Sequence, residues 1–264
     1  MVEKLDLFLE SMRWPMTPPV AYSWFHILFT LGGFALCAFA AWKLKNISDK
    51  ACRWMLFGIG VLLGLSEIYK QLFYYFVVND NAYAWGDFPF QFCSMPMYIC
   101  LIAPWLKTGK VQRGMYSYAV LFNLLGGAIA FTEPSGLFHG YWFLTSHALF
   151  WHMILVFIGL FLCFSKRGGT EKEDYKTACF TFFGLSAIAF GLNAFVQNVL
   201  DKHMNMFFIG PGNSPLVVFK WFSQTFGWYV STALFIFAVC LGAYLIFLLI
   251  QALQKKPKKA PVPC

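Results

Sequence analysis

Apolar residues recur in seven long runs along this chain, and short polar segments separate one run from the next. An α-helix rises about 1.5 Å per residue, so about 17–25 apolar residues are enough to cross the hydrocarbon core of a bilayer. The runs therefore predict seven membrane-spanning helices, at residues 20–42, 54–78, 88–106, 115–132, 141–164, 177–200 and 217–251. The last run is longer than a bilayer requires, and Gly227 is the candidate position for a bend within it.

The composition excludes a soluble protein. Residues of the set AVILMFWYC make up 59% of the chain, whereas charged residues make up only 12%. Soluble proteins average about 45–50% and about 25% in these two classes, because a surface that faces water needs charge. In lipid, a helix satisfies its own backbone hydrogen bonds. We therefore predict an all-α fold, a polytopic bundle of seven transmembrane helices over residues 20–251.

Basic residues are concentrated in alternate loops, and this pattern predicts the orientation of the bundle. Lys and Arg cluster after the first, third, fifth and seventh runs, whereas the loops after the second and fourth runs contain none. The positive-inside rule then places the C-terminus in the cytoplasm and the N-terminus outside. Residues 1–19 are thus predicted to be a short extracytoplasmic segment, and residues 252–264 a basic cytoplasmic tail. Because these loops account for the net charge of +8, we expect no nucleic-acid partner.

The eight cysteines predict neither a disulfide framework nor a metal centre. The chain contains no Cys-x-x-Cys pair and no Cys/His group with the spacing of a zinc site. Haem would need two histidines paired across the spans, and the histidine positions do not indicate such a pair. We therefore expect no metal and no other cofactor.

Polar side chains within the predicted spans lie mostly in the outer half of the membrane, at a similar depth. Such groups are costly in lipid, so a shared depth on several helices indicates a site. Glu67 and Lys70 lie on one face of the second span, because their spacing is i, i+3. The candidate site residues are Cys93, His147, Glu67, Gln91, Lys70, His26, Asn193 and Gln197.

A cysteine and a histidine at the same depth predict nucleophilic catalysis. His147 would take the proton of the Cys93 thiol, because a thiol without a neighbouring base is mostly protonated. Asp87 as a helix N-cap and Pro89 in the first turn predict a helix N-terminus near Cys93, which favours the thiolate. Pro96 would break one backbone hydrogen bond just beyond the cysteine.

The other polar residues have predicted supporting roles. Glu67 would orient the imidazole, and the amide of Gln91 or Asn193 would donate to an oxyanion. The structural alternative is that Glu67 and Lys70 form only a neutralising pair and that Cys93 fills space as a small apolar side chain. The predicted depth matches the ester carbonyl of a phospholipid, just below the headgroups, so membrane phospholipids are the expected partners.

The stretch FPFQFCSMPMYICL at residues 88–101 resembles a membrane-protein signature. It is similar to the pattern Leu-Pro-(Leu/Phe)-(His/Gln)-Leu-Cys of the bacterial YwaF-like proteins, which are related to the transmembrane protein 164 family. Further family marks appear in the same order along the chain, namely His26, Glu67, residues 123–127, residues 132–134, residues 143–147, residues 205–208 and residues 226–229. The chain departs from the pattern in three places: Phe88 replaces the usual Leu, Gln91 stands where His is common, and the motif at residues 205–208 lacks its usual Tyr.

The resemblance implies an integral membrane acyltransferase that acts on phospholipids. Carried onto this sequence, it makes Cys93 the acyl acceptor and His147 the base. The family is also similar to the androgen-induced-gene membrane hydrolases of fatty-acid esters, which use a Thr and a His. If the position of the missing Tyr after the sixth span helps to bind substrate, its change would alter the preference for the acyl chain or the headgroup.

The sequence therefore predicts a multi-pass protein of the cell membrane, in a bacterial plasma membrane. Its predicted activity is the transfer of a fatty-acyl group from or to a phospholipid through a Cys93 thioester, with His147 as general base. Three rival hypotheses use the same polar residues: a small-solute transporter or channel, a lipid-binding or sensor protein, and a fatty-acid-ester hydrolase. In a transporter, Cys93 would line a cavity and tolerate alanine.

Overall fold

The regular structure of the chain is helical. A computed structural model describes residues 2–211 and 216–254, and these contain no β-strand. The α-helices are α1 Val2–Ser11, α2 Trp24–Leu44, α3 Asp49–Phe73, α4 Met95–Ile102, α5 Lys110–Tyr118, α6 Leu124–Ala130, α7 Trp142–Phe164, α8 Lys172–Leu200, α9 Val217–Phe226 and α10 Trp228–Gln254. A π-helical segment, Tyr74–Val78, extends α3, and a second, Ala119–Asn123, joins α5 to α6. Short 3-10 turns lie at Trp85–Asp87, Phe92–Ser94, Ala103–Trp105, Pro134–Gly136 and Met206–Phe208.

Five helical stretches of the described chain are long and apolar enough to cross a membrane. They are Trp24–Leu44, Asp49–Val78, Trp142–Phe164, Lys172–Leu200 and Trp228–Gln254. The predicted span at 88–106 corresponds to a shorter apolar helix, Phe92–Trp105, and the one at 115–132 corresponds to α5, the π segment and α6. The prediction of an all-α, multi-pass membrane fold is confirmed at this level.

The stretch from α5 to α6 lies at the centre of the bundle. Residues 118–122 are completely buried, and α7, α8 and α10 contact the α5–α6 stretch. By contrast, α2 lies at the periphery with much of its surface exposed. Because other helices rather than lipid surround the central stretch, it accommodates buried polar side chains such as Ser117 and Asn123.

The loops rich in Lys and Arg meet at one end of the bundle, which we call the basic end. Arg167, in the loop between α7 and α8, contacts Asp49 at the start of α3 with an N–O distance of 2.8 Å. Arg113 near the start of α5 binds Asp174 in the first turn of α8, with Nε and Nη2 donating to the two carboxylate oxygens at 2.6 and 2.8 Å. The alternation of basic loops in the sequence therefore corresponds to a common end in space.

Replacing Asp174 with alanine should destabilise the bundle by about 3 kcal/mol. Asp174 is 1% exposed and also accepts hydrogen bonds from the backbone N–H groups of Thr170 and Glu171, each at 2.7 Å. Alanine would leave these donors and Arg113 without their acceptor, and breaking a buried ion pair costs about 3–5 kcal/mol. The lower value applies because the Arg113 side chain is 38% exposed, so water screens its charge.

The measurement for this prediction is reversible unfolding in mixed micelles of a mild and a denaturing detergent. Asp49→Asn is the matched control, because Asp49 also pairs with an arginine at the basic end but its side chain is 85% exposed. We expect the control to cost less than about 1 kcal/mol. Equal unfolding midpoints for Asp174→Ala and Asp49→Asn would contradict the prediction.

The segment before α2 packs against the opposite end of the bundle, which we call the N-terminal end. Leu9 of α1 is 1% exposed and belongs to a cluster with Phe73, Val77 and Leu144. The backbone of residues 14–16 pairs with residues 140–142, and the N–H of residue 142 donates to the carbonyl of residue 14 at 3.0 Å. Leu9 and residues 14–16 of the predicted segment 1–19 therefore pack against this end. At the other terminus, residues 255–264 of the predicted basic tail lie outside the described residues.

The chain bends sharply between α9 and α10, at the position that the sequence predicts. Gly227 has a φ angle of +87°, a conformation that other residues rarely adopt, so it ends α9 and allows α10 to begin in a new direction. The Ser231 hydroxyl donates to the carbonyl oxygen of Phe219 at 2.9 Å, and the rings of Phe219 and Phe235 lie 5.3 Å apart. The short α9 therefore folds back along the start of α10.

Candidate functional site

Cys93 lies in a tight turn immediately before a helix. The 3-10 turn Phe92–Ser94 leads directly into α4, which begins at Met95 and carries Pro96 in its first turn. A proline fits there because N–H groups of the first turn have no acceptor within the helix. The thiol is therefore next to the N-terminus of α4, where the helix dipole favours a thiolate.

The prediction that Asp87 caps this helix is wrong, and so is the placing of Pro89 in its first turn. Asp87 ends a separate 3-10 turn, and Phe88 after it is extended, with φ −52° and ψ 136°. A residue before proline disfavours the α conformation, so Pro89 holds the chain out of a helix at this point. Pro96, whose position in the sequence predicts a break inside the helix, instead belongs to its first turn.

Two side chains from other helices hold the backbone of the Cys93 turn. Asn123, at the end of the π segment, donates through Nδ2 to the carbonyl oxygen of Phe92 at 3.2 Å. Trp151 of α7 donates through Nε1 to the carbonyl oxygen of Cys93 itself at 2.8 Å. A Cβ atom at Gly126 would lie 2.7 Å from the Phe92 ring, so glycine is needed for this close packing. The position of the turn is thus fixed from two sides.

His147 lies one helical turn before Trp151 on the same face of α7. The two rings stack with centroids 5.1 Å apart and an interplanar angle of 29°, and the ring of Phe143 lies 5.7 Å from that of His147. Within the described residues, His147 Nε2 is buried without a hydrogen-bond partner, and no hydrogen bond joins His147 to the Cys93 thiol. Trp151 therefore connects the histidine to the Cys93 turn through stacking on one side and a hydrogen bond on the other.

Glu67 and Lys70 share one face of α3, as their spacing predicts, and Gln71 lies beside them on the same face. The Glu67 carboxylate is 4% exposed and receives Lys70 Nζ and Gln71 Nε2 on the same oxygen, each at 2.8 Å. Gln71 Nε2 also donates to the carbonyl oxygen of Asp87 at 2.5 Å, which ties α3 to the segment before Cys93. The charges of Glu67 and Lys70 act on the Cys93 thiol, and that of Lys70 also acts on the His147 ring. The buried pair is therefore part of the electrostatic surroundings of both.

Two titratable loop residues at the N-terminal end, Asp87 and His139, have shifted pKa values. Burial raises the pKa of Asp87, and the negative charge of Glu67 raises it further, whereas Lys70 and His139 lower it. Burial lowers the pKa of His139, whose backbone N–H donates to Thr145 Oγ1 at 2.8 Å. Both shifts favour the neutral forms, because burial lowers the effective dielectric constant around these loops at the border of the site.

Buried polar atoms without partners are concentrated around this site. Within the described residues they include Tyr69 Oη, Gln91 Oε1, Tyr118 Oη, Asn123 Oδ1 and His147 Nε2. The ring of Tyr118 lies 6.1 Å from that of Phe92, and the Tyr69 ring lies 4.3 Å from that of Phe143. Each buried unpaired group costs about 1–3 kcal/mol, so a set of them near one turn indicates a place where a ligand supplies the partners.

Gln91 lies two residues before Cys93, and its side chain is only partly used by the protein. Its Nε2 donates to the carbonyl oxygen of Gly86 at 3.3 Å, whereas its Oε1 is among the unpartnered buried atoms. The structure therefore places Gln91 in the segment that leads into the Cys93 turn, as the sequence predicts.

Asn193 and Gln197 of α8 bind the loop that follows α8. The Asn193 side chain pairs with the backbone of Met206, accepting its N–H at 2.6 Å and donating to its carbonyl oxygen at 3.1 Å. Gln197 Nε2 donates to the carbonyl oxygen of Met204 at 3.0 Å. The ring of Phe207 in this loop lies 5.7 Å from that of Phe92. The two amides therefore position the loop, and the loop packs against the Cys93 turn.

His26 belongs to a different aromatic cluster. Its Nδ1 accepts the backbone N–H of Tyr22 at 3.1 Å, and its ring lies 5.4 Å from that of Phe138 and 6.4 Å from that of Phe131. His152, on another face of α7 from His147, also contacts Phe131, with ring centroids 6.5 Å apart. The structure therefore groups His26 with the Phe131 cluster.

Sequence reasoning missed three residues that surround Cys93, namely Tyr118, Asn123 and Trp151. Asn123 belongs to a stretch that the family resemblance includes, and it is a polar residue inside an apolar run, so a signal for it was present. Tyr118 and Trp151 carry no comparable signal, because aromatic residues occur throughout the chain. The described residues contain no group of three or more His, Cys, Asp or Glu side chains placed to hold a metal ion.

The fold and the site together define a multi-pass helical membrane protein in which a cysteine and a histidine lie near one end of the bundle. The TMEM164 family model matches residues 20–247, which include every residue of the candidate site, and the chain belongs to the TMEM164 family. No curated protein and no solved structure matches the chain.

Proposed function

We propose that this protein is a membrane acyltransferase that moves a fatty-acyl group from or to a phospholipid through a Cys93 thioester. The observation that carries the proposal is the arrangement around the Cys93 turn. The thiol lies at a helix N-terminus, and Trp151 links the turn to His147, whose buried Nε2 is without a partner in the described chain. A nucleophilic cysteine needs a nearby base and surroundings that favour its thiolate, and this arrangement supports the proposal in both respects.

The reaction proceeds in two half-reactions at Cys93. His147 Nε2 takes the thiol proton while Sγ attacks the ester carbonyl carbon of the donor lipid, which forms a tetrahedral oxyanion. The oxyanion collapses, the lyso-lipid oxygen leaves with the proton from His147, and a thioester remains. An acceptor hydroxyl then attacks the thioester carbonyl carbon while His147 takes its proton. The tetrahedral intermediate expels the Cys93 sulfur, which recovers that proton from His147, and the acceptor leaves as an ester. Catalytic hydrogen bonds often tighten only in the substrate complex, so Sγ and Nε2 approach each other when the lipid binds.

Neighbouring residues supply charge and hydrogen bonds to this reaction. Lys70 would stabilise the thiolate by its positive charge, while the Glu67 carboxylate keeps that ammonium in place and offsets part of its effect. The Tyr118 hydroxyl, a buried donor without a partner in the described residues, is suited to the oxyanion. Gln91 would donate to the oxyanion through Nε2, whose other bond goes to the carbonyl oxygen of Gly86 at 3.3 Å. His26, Asn193 and Gln197 support the surrounding helices and loop and do not touch the reacting atoms.

The proposal includes a topology and a location. Phe92–Trp105 and the central α5–α6 stretch would cross the membrane together with the five long helices, giving seven crossings with the N-terminal end outside. The meeting of the basic loops at one end supports this orientation, because Lys and Arg accumulate on the cytoplasmic side. The reaction would then take place in the outer leaflet of a bacterial plasma membrane, as in a YwaF-like protein.

The test of the proposed function is intact-protein mass spectrometry of the purified full chain after incubation with phospholipid vesicles. We expect a mass increase equal to a fatty-acyl group, removable by hydroxylamine, and located on the peptide that contains Cys93 after digestion. Cys100→Ala is the matched control, because Cys100 lies seven residues later in α4, and it should retain the adduct. An adduct on another cysteine, or solute uptake by vesicles without any adduct, would contradict the proposal. Release of free fatty acid from the adduct without an acceptor lipid would identify a hydrolase.

A further inference from the structure

A cavity of about 340 Å³ lies at the basic end of the bundle, at the opposite end from Cys93. It is bordered by the start of α3, the start of α5 and the loop between α7 and α8. Its lining contains four cationic side chains, Arg53, Arg113, Lys166 and Arg167, and a single carboxylate, Asp49. This volume is in the range of small-molecule sites, and its charge favours an anion.

The positive charge of the cavity is only partly neutralised. Arg113 pairs with Asp174, and Arg167 pairs through Nη2 with Asp49, whose side chain is 85% exposed. In the part of the chain that the structure describes, Arg53 and Lys166 form no ion pair with a carboxylate. These two cationic side chains are therefore available to bind an anionic ligand.

Lys166 is held in a backbone conformation that lysine rarely adopts. Its φ angle is +58°, and it ends α7 in a Schellman motif, in which its N–H donates to the carbonyl oxygen of Cys163 at 3.0 Å. The N–H of Arg167 donates to the carbonyl oxygen of Leu162 at 2.9 Å. Glycine is the usual residue at this position of the motif. A strained lysine that lines a cationic cavity indicates a role for its side chain.

Two exposed tryptophans place the cavity at the depth of the lipid headgroups. Trp54 follows the lining residue Arg53, and Trp105 lies three residues before the lining residue Thr108. Their rings are 5.1 Å apart, and the two residues are 54% and 50% exposed. Exposed tryptophans of membrane proteins gather at the interface between hydrocarbon and water.

We propose that this cavity binds the phosphate group of an anionic ligand, in particular of an anionic phospholipid at the basic surface of the membrane. The phosphate would accept hydrogen bonds from Lys166 and from the guanidinium groups, as in other charge-assisted phosphate sites. The site is independent of the Cys93 reaction, because the two lie at opposite ends of the bundle.

The test compares retained lipids by native mass spectrometry of the full chain in an uncharged detergent. Phosphatidylglycerol and phosphatidylcholine are the lipid probes, and inorganic phosphate, measured by calorimetry, is the soluble probe. We expect preferential retention of phosphatidylglycerol, and a roughly tenfold loss of that affinity in Lys166→Gly, because a charge-assisted hydrogen bond is lost. Glycine fits the positive φ angle, so the unfolding midpoint should not fall.

Lys43→Gln is the matched control, because it removes the same charge at the same end from α2, outside the cavity lining. It should retain the affinity of the wild type, whereas Arg53→Gln should lose affinity as Lys166→Gly does. Equal retention of both lipids, or equal affinity in all three variants, would overturn the proposal. Tight binding of inorganic phosphate without preference for phosphatidylglycerol would overturn the lipid assignment and identify a soluble phosphate ligand.

Discussion

Replacing Cys93 with alanine should reduce acyl transfer between phospholipids to the background rate, a loss of about 10⁴-fold or more. The reason is that alanine removes the only group that the mechanism allows to carry the acyl chain. The turn itself should persist, because Asn123 and Trp151 hold it through the carbonyl oxygens of Phe92 and Cys93 rather than through the thiol. Turnover is measured by following a labelled acyl chain between lipids in proteoliposomes.

The controls for this prediction separate chemistry from packing. Cys100→Ala removes a cysteine that is 1% exposed in α4, the helix that follows the Cys93 turn, so it tests whether loss of a buried thiol alone disturbs the bundle. We expect this variant to keep most of the activity and Cys93→Ala to keep the unfolding midpoint of the wild type. If Cys93→Ala transferred acyl chains at the wild-type rate, Cys93 would be a packing residue and the thioester mechanism would fail.

The periodicity of the sequence was sufficient to predict the helical class and the grouping of the loops. Long apolar runs and alternating basic segments are local properties of the sequence. The helices and loops that they predict therefore do not depend on which tertiary contacts form. The exception is the start of α4. Both Pro89 and Pro96 suit a first helical turn, and local sequence does not distinguish them. The extended conformation of Phe88 and the bond from Asn123 to the Phe92 carbonyl decide between them, and that bond is a contact with another helix.

The candidate site was predictable in its types of residue and less so in its contacts. Spacing indicated that Glu67 and Lys70 share a face, and the structure confirms that they form a buried pair. The hydrogen bond from Trp151 to the Cys93 carbonyl oxygen joins residues 58 positions apart, and no local pattern in the sequence predicts such a contact. Asn193 is the opposite example: the sequence indicated an oxyanion donor, whereas in the structure its side chain binds the backbone of Met206.

Replacing His147 with glutamine should slow formation of the Cys93 thioester by about 10²–10⁴-fold, the usual contribution of a general base. Glutamine has a similar size and is not basic, so the variant would keep the packing against Trp151 and lose proton transfer. Thioester formation is measured in a single turnover, by quenching the protein at successive times and determining the acylated fraction by intact mass. Because Cys93 is unchanged, the final acylated fraction should approach that of the wild type.

His152→Gln is the matched control for this prediction, since it lies five residues further along α7 and its Nδ1 contacts the carbonyl oxygen of Ala148 at 2.8 Å. It belongs to the Phe131 cluster and should acylate Cys93 at close to the wild-type rate. His147→Ala distinguishes a base from a packing residue by chemical rescue. Free imidazole fits the space that the ring vacates, so it should restore part of the acylation rate if His147 is the base. Equal slowing in His147→Gln and His152→Gln without rescue by imidazole would assign His147 to packing, and the base would have to be sought elsewhere in the bundle.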